Sequence, residues 1–161
     1  MTRMLVFCAS MAIASIASAQ GRSTADGLTN TSDALERRDQ PVTENDLRIL
    51  VRANQILSSP AVWNRHDTRE CHETDKTWSL FCALEKASRE ILKEYRHREV
   101  ALQEVRFAIE DVTDGREFYH RLMDYNNLPD TQLADVKRVL TIATHRVRIR
   151  LGEQKKAGRS R

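Results

Sequence analysis

The densest concentration of side chains able to do chemistry lies between Ala61 and Lys76, where His66, Asp67, Glu70, Cys71, His72, Glu73 and Asp75 fall within ten residues. Imidazole and carboxylate are ligand types that zinc, copper and nickel accept, and His66 and His72 are the residues such a metal would take first. The spacing fits no metal signature: no H-E-x-x-H, no paired C-x-x-C, no calcium loop with a central glycine. The stretch therefore reads first as a solvated loop without a metal. A small exported metal-binding protein or enzyme using residues 66–75 is the alternative.

Elsewhere the candidates thin out. His97, His120 and His145 are each followed by arginine, at gaps of 23 and 25 residues that match no catalytic spacing, and read as surface positions on helices. There is no G-x-S-x-G, no glycine-rich phosphate loop and no dinucleotide fingerprint. The sequence thus names no catalytic residue and no cofactor, and leans away from an enzyme. The polar run from His120 to Asn127 is the last candidate. Asp124 and Asn127 can tie a turn and cap the helix that follows. The sharper reading is a ligand pocket built from Trp63, Trp78, Asp124 and Asn127.

These residues must be held by something, and the holding elements are helical. The chain has 161 residues, 40% hydrophobic, with 5 Gly, 3 Pro and 6% aromatics, which suits one domain and is poor in the residues of β-sandwiches. No stretch alternates with period two long enough for a strand. Thr43 is placed to cap a first helix carrying Leu47, Leu50, Val51, Ile56 and Leu57, which Ser58-Ser59-Pro60 ends. A second helix follows Trp78, its stripe running Leu80, Phe81, Leu84, Ala87, Ile91, Leu92 and Tyr95. A third runs from about Arg98 to Val112, with Phe107 and Val100 off its main face, and Asp114-Gly115 breaks it. A short amphipathic segment, 117–125, leads into a turn, where Asp130 or Thr131 can cap a last helix lined by Leu133, Val136, Leu140, Ala143, Val147 and Leu151. The expected fold is all-α, a four- to five-helix bundle with one long tethered loop.

The tether is a disulfide. Met1–Ala19 reads as an export leader: Arg3, an uncharged run from Leu5, then Ala17-Ser18-Ala19 before Gln20. Cys8 leaves with it, and Cys71 and Cys82 remain to pair in an oxidising compartment, periplasmic or secreted. Cys82 falls on the side of its helix away from the apolar stripe, so the bond is expected to strap the loop over the helix flank. Trp63 and Trp78 would pack beside it in a small satellite core. The organisation is then a leader at 1–19, a flexible segment at 20–42, a helical domain at 43–151 and a basic tail at 152–161. No transmembrane segment remains after the leader is cut.

Formal charge is +3, unevenly spread: Arg146, Arg148, Arg150, Lys155, Lys156, Arg159 and Arg161 face one acid, Glu153, in the C-terminal stretch. Export argues against nucleic acid, and leaves an unidentified protein or an anionic envelope component as the partner. Trp63, Cys71, the run Trp78-Ser79-Leu80-Phe81-Cys82-Ala83-Leu84, and Tyr125-Asn126-Asn127 with Pro129, Thr131 and Val136 together resemble a small helical domain family of unknown function. In that family a tryptophan follows the first helix, a cysteine opens an alanine-rich helix, and a W/Y-N-D-x-P-x-T turn precedes the last helix. Asn127 stands where Asp is usual. The resemblance spans about Asp46 to Leu151 and implies the helical fold and a capping role for the turn, but no activity. The function expected is a non-catalytic, exported interaction or binding module.

Overall fold

The computed structural model describes residues 37–160, so the leader reading lies outside the described residues, as does most of the segment before Thr43. Five helices follow in order: α1 Glu44–Ile56, α2 Leu80–Leu92, α3 Val100–Val112, α4 Arg121–Asn127 and α5 Leu133–Arg159. A single 3-10 turn, Pro60–Val62, precedes the long crossover. No strand occurs among the described residues; the one β feature is an isolated parallel bridge between Trp63 and Trp78. α1 packs on α2 and α5, α3 packs on α5, and short α4 closes the end between α2 and α3.

Helix α1 starts where expected and its cap does double duty. Thr43 Oγ1 accepts from Asp46 N at 3.3 Å while Asp46 Oδ2 accepts from Thr43 N at 2.7 Å, a reciprocal capping box. The other carboxylate oxygen, Asp46 Oδ1, accepts from Ala101 N at 3.0 Å. Glu99, at the α3 N-cap, makes no side-chain cap bond, so the buried Asp46 serves the free amides of two helices at once. Asp46→Ala is expected to cost about 2 kcal/mol, against about half that for Thr43→Ala, which disturbs α1 alone; urea unfolding of the two variants measures the difference.

The core is continuous through all five helices, with Ile49, Leu50, Leu80, Leu84, Leu102, Ile109, Val136 and Leu140 fully buried. On α1 the buried stripe runs through Ile49, Leu50, Ala53 and Leu57, while Val51 is exposed. The expected face was rotated because Val51 is apolar but sits one position off the three-four repeat that Asp46 and Ile49 establish. On α5 every expected position is buried, with Val139 added. Phe107, off the main face of α3 as expected, is buried outside the central cluster beneath the Arg38 guanidinium, 4.8 Å from its ring centroid. Asp114 and Gly115 have positive φ of 54° and 74°, and Gly115 N donates to Glu110 O at 2.8 Å, which closes α3 in a conformation glycine tolerates best. The short segment begins its helix only at Arg121, because Asp124 Oδ2 accepts from His120 N at 2.7 Å and starts the helix there.

Other boundaries also differ from expectation: α2 ends at Leu92, with Lys93 left-handed, so Tyr95 lies beyond it. Neither Asp130 nor Thr131 caps α5: its N-cap is Gln132, whose N–H donates to Asp135 Oδ2 at 2.9 Å. Thr131 Oγ1 donates instead to Tyr125 O, 2.9 Å away. The basic stretch after Leu151 is no separate tail, since α5 continues to Arg159. Order also begins before Thr43. Val42 is buried, its N–H donates to Gln154 Oε1 at 3.0 Å and its carbonyl accepts from Gln154 Nε2 at 2.9 Å. Arg150 donates to Gln40 O and pairs with buried Glu104. Lys155 pairs with Glu44 at 2.6 Å. Arg150 and Lys155, cations that looked free in the sequence, clasp the start of the domain to its last helix.

Candidate functional site

The crossover is an Ω-loop closed on itself. Trp78 N donates to Val62 O at 2.8 Å and Asn64 N to Trp78 O at 3.0 Å, so residues 64 and 77 begin and end at one place. Cys71 and Cys82 form the disulfide, with Cα atoms 5.4 Å apart. Cys82 and Trp78 nevertheless belong to the main core rather than to a satellite. Leu80 to Leu84 are all buried because the loop covers the first turn of α2 from outside. Within the loop, Asp67 Oδ1 accepts from Arg69 N at 2.7 Å and holds Arg69 in a left-handed conformation, φ 64°.

The predicted side chains are placed apart. His66 and His72 are both exposed, each with its backbone N–H in a local turn. Among the described residues no three His, Cys, Asp or Glu side chains converge as a metal requires. Trp63 donates its indole N–H to Asn126 Oδ1 at 2.9 Å. Asn127 is bonded to the Asp67 backbone in both directions, at 2.8 and 2.9 Å. Asp124 caps α4. Trp78 lines a cavity of about 380 Å³ beside the disulfide, its ring 4.5 Å from Lys86 Nζ. Trp63, Trp78, Asp124 and Asn127 therefore serve separate roles, and buried Asn126, bonded to Trp63 and Asn127, joins two of them.

A larger cavity, about 480 Å³, opens between the crossover, α3 and the segment leading into α4. Its lining includes Arg38, Arg69, Arg106 and Arg121 with His97 and His120, against Glu110 as the one carboxylate among the described residues. Glu110 is already shared, 3.3 Å from Arg38 and 3.4 Å from Arg121, and Arg38 also binds Asp111 at 2.9 Å. Arg106 and Arg69 form no ion pair among the described residues. Arg106, partly buried on α3, donates to Gln103 Oε1 at 2.8 Å and His97 O at 3.2 Å, both neutral. Burial, with Arg121, Arg69 and Arg98 nearby, pushes its pKa down to about 10, which leaves it charged at neutral pH. Arg69 Nη1 lies 3.2 and 3.1 Å from the two ring nitrogens of His120.

The same field acts on the groups around it. Burial, then the positive charge of Arg106, Arg69 and Arg98, lowers the His97 pKa below its ordinary value. Tyr95, whose hydroxyl is 3.0 Å from His97 Nδ1, is pushed up to about 12 by burial. The arrangement is a partly open, polar recess with more guanidinium donors than anions to match them, suited to receiving an oxyanion. The sequence carried one signal for it. Gln103, Arg106, Phe107 and Glu110 recur at helical spacing on the second face of α3, the face that off-stripe Phe107 already marked.

The family model that matches this chain covers residues 41–146, well over half its length. The chain belongs to DUF6197, a family of unknown function. The DUF6197 match takes in the disulfide, Asn126 and the cavity residues Arg69, His97, Arg106, His120 and Arg121. It leaves out Arg38 and the last turns of α5 that clasp Val42. No curated protein and no solved structure matches the chain.

Proposed function

We propose that this DUF6197 chain is an exported, non-catalytic binding module that receives an acidic group in the arginine-lined cavity. The observation that carries the reading is Arg106, a partly buried guanidinium with no carboxylate partner among the described residues, beside Arg69, an exposed arginine that likewise forms no ion pair among them. Taking a cation out of water without a counter-charge is costly, and an incoming anion supplies that counter-charge. The export part rests on the leader-like first nineteen residues and on a disulfide, which persists in oxidising compartments. An anionic envelope component remains the partner class, met by the cavity rather than by a basic arm. Arg146 and Arg150 are committed to Asp111 and Glu104 within the domain.

Calorimetric titration with inorganic phosphate at low salt tests the site. Wild type is expected to bind, and Arg106→Gln to lose at least about tenfold in affinity, as for a charge-assisted hydrogen bond, without losing stability. Proton NMR adds a sign. In the free protein the unfolded chain takes up the His97 proton first, so stability falls as pH drops below the ordinary value of 6.5. A bound anion offsets the arginine repulsion and raises the His97 pKa, so binding tightens over the same fall in pH. No binding, or an Arg106→Gln variant that binds as well as wild type, sinks the reading. N-terminal sequencing of protein recovered outside the cytoplasm is expected to begin at Gln20; retention of residues 1–19 inside the cell sinks the export part.

A further inference from the structure

We infer that the acidic group is carried on a sugar ring, a pyranose bearing a phosphate or carboxylate, with Tyr119 as the platform for the ring. The inference rests on the cavity being an anion site and adds to it what surrounds the acid. The cavity, at about 480 Å³, lies in the range of small-molecule pockets, about 300–1,000 Å³, and exceeds what a lone phosphate or sulfate fills. The cavity therefore has room for an acid attached to a ring.

Tyr119 indicates what that is. It is 92% exposed and is the one exposed aromatic side chain among the described residues, yet it lines the same cavity. Its ring leans on His120, centroids 4.5 Å apart and planes at 67°, which fixes its position without covering it. A held, uncovered aromatic face at the mouth of a cationic recess can stack on the apolar face of a ring while the ring's acid reaches Arg106 and Arg69. The walls between are polar, with Gln103, His97 and His120 offering donors and acceptors to hydroxyl groups. Polar walls of this kind suit a ring bearing hydroxyl groups better than a flat apolar base.

The test titrates the purified full-length protein with glucose 6-phosphate, glucuronate, glucose, inorganic phosphate and AMP, in wild type, Tyr119→Ala and Arg106→Gln. Tyr119 is exposed, so its alanine variant is expected to fold as wild type. One of the two acidic sugars is expected to bind at least about tenfold tighter than inorganic phosphate, and neutral glucose not measurably; the tighter acid names the group. Tyr119→Ala is expected to lose about three- to tenfold for that sugar and nothing for phosphate, while Arg106→Gln weakens both. Acidic sugars binding no better than phosphate, with Tyr119→Ala silent, overturn the sugar inference and leave the anion site standing. AMP binding tighter than either sugar also overturns it. Failure of every anion, phosphate included, overturns the anion site itself.

Discussion

Asn126→Leu is expected to lower the stability of the domain by about 3–5 kcal/mol, the largest effect of any single substitution outside the apolar core. Asn126 is completely buried. Its Oδ1 accepts from Trp63 Nε1 at 2.9 Å and from Leu80 N at 3.0 Å, while its Nδ2 donates to Asn64 O at 3.0 Å and Asn127 Oδ1 at 3.1 Å. Leucine is close in size and more apolar, so packing is roughly conserved while two donors and a carbonyl lose their partner. Each orphaned buried group costs about 1–3 kcal/mol. Urea unfolding reads the loss as a lower midpoint at unchanged slope. Trp63→Phe, which removes one donor and keeps an aromatic ring, is expected to cost about 1 kcal/mol and to be nearly silent in the Asn126→Leu background. Additive losses in the double variant would show that the two residues do not act through their shared bond.

Removing the disulfide as Cys71→Ser with Cys82→Ala is expected to cost about 2–3 kcal/mol, the chain entropy returned to a loop of about a dozen residues in the unfolded state. The native loop has two further anchors, the Asp67–Asn127 backbone pair and Arg65, which donates to Pro129 O at 2.5 Å. Both lie before residue 70, so the half from Glu70 to Thr77 depends on the sulfur bridge. Limited proteolysis of the variant, or of wild type after reduction, is expected to cut within 70–77 and to spare 64–68. Cutting spread across 64–77 would show that the asparagine ties do not hold without the bridge, and no cutting would show that the bridge is not what orders the second half.

Local chemistry made much of this architecture readable. Thr43 and the three-four spacing of α5 act within one or two helical turns, so their roles follow from neighbours in the chain. The cysteine pair was readable because, once Cys8 is read as part of a leader, the two remaining sulfurs leave a single pairing. What escaped the sequence is tertiary. Asn126 sits in a turn-like run where asparagine ordinarily bonds its own backbone, and nothing local signals that its partners lie 46 and 63 residues away. Asp46 was readable as a first-turn charge, but not as the cap of a second helix. Arg106 and His120 come from surfaces that are individually ordinary; only the crossover, bringing Arg69 over them, gathers these side chains into one recess.

The clasp between Val42 and Gln154 spans 112 residues, and with it the approach to α1 is secured by the last turns of α5. A nascent chain can pack α1 on α2 early, but Glu104, buried on α3, has no counter-ion until Arg150 has left the ribosome. A chain cut after Ala143 would keep α1 to α4 and the first turns of α5, and would still bury Glu104 without its counter-charge. The last turns of α5 therefore decide whether that carboxylate is matched, and a chain shortened within them is expected to unfold at a lower urea concentration.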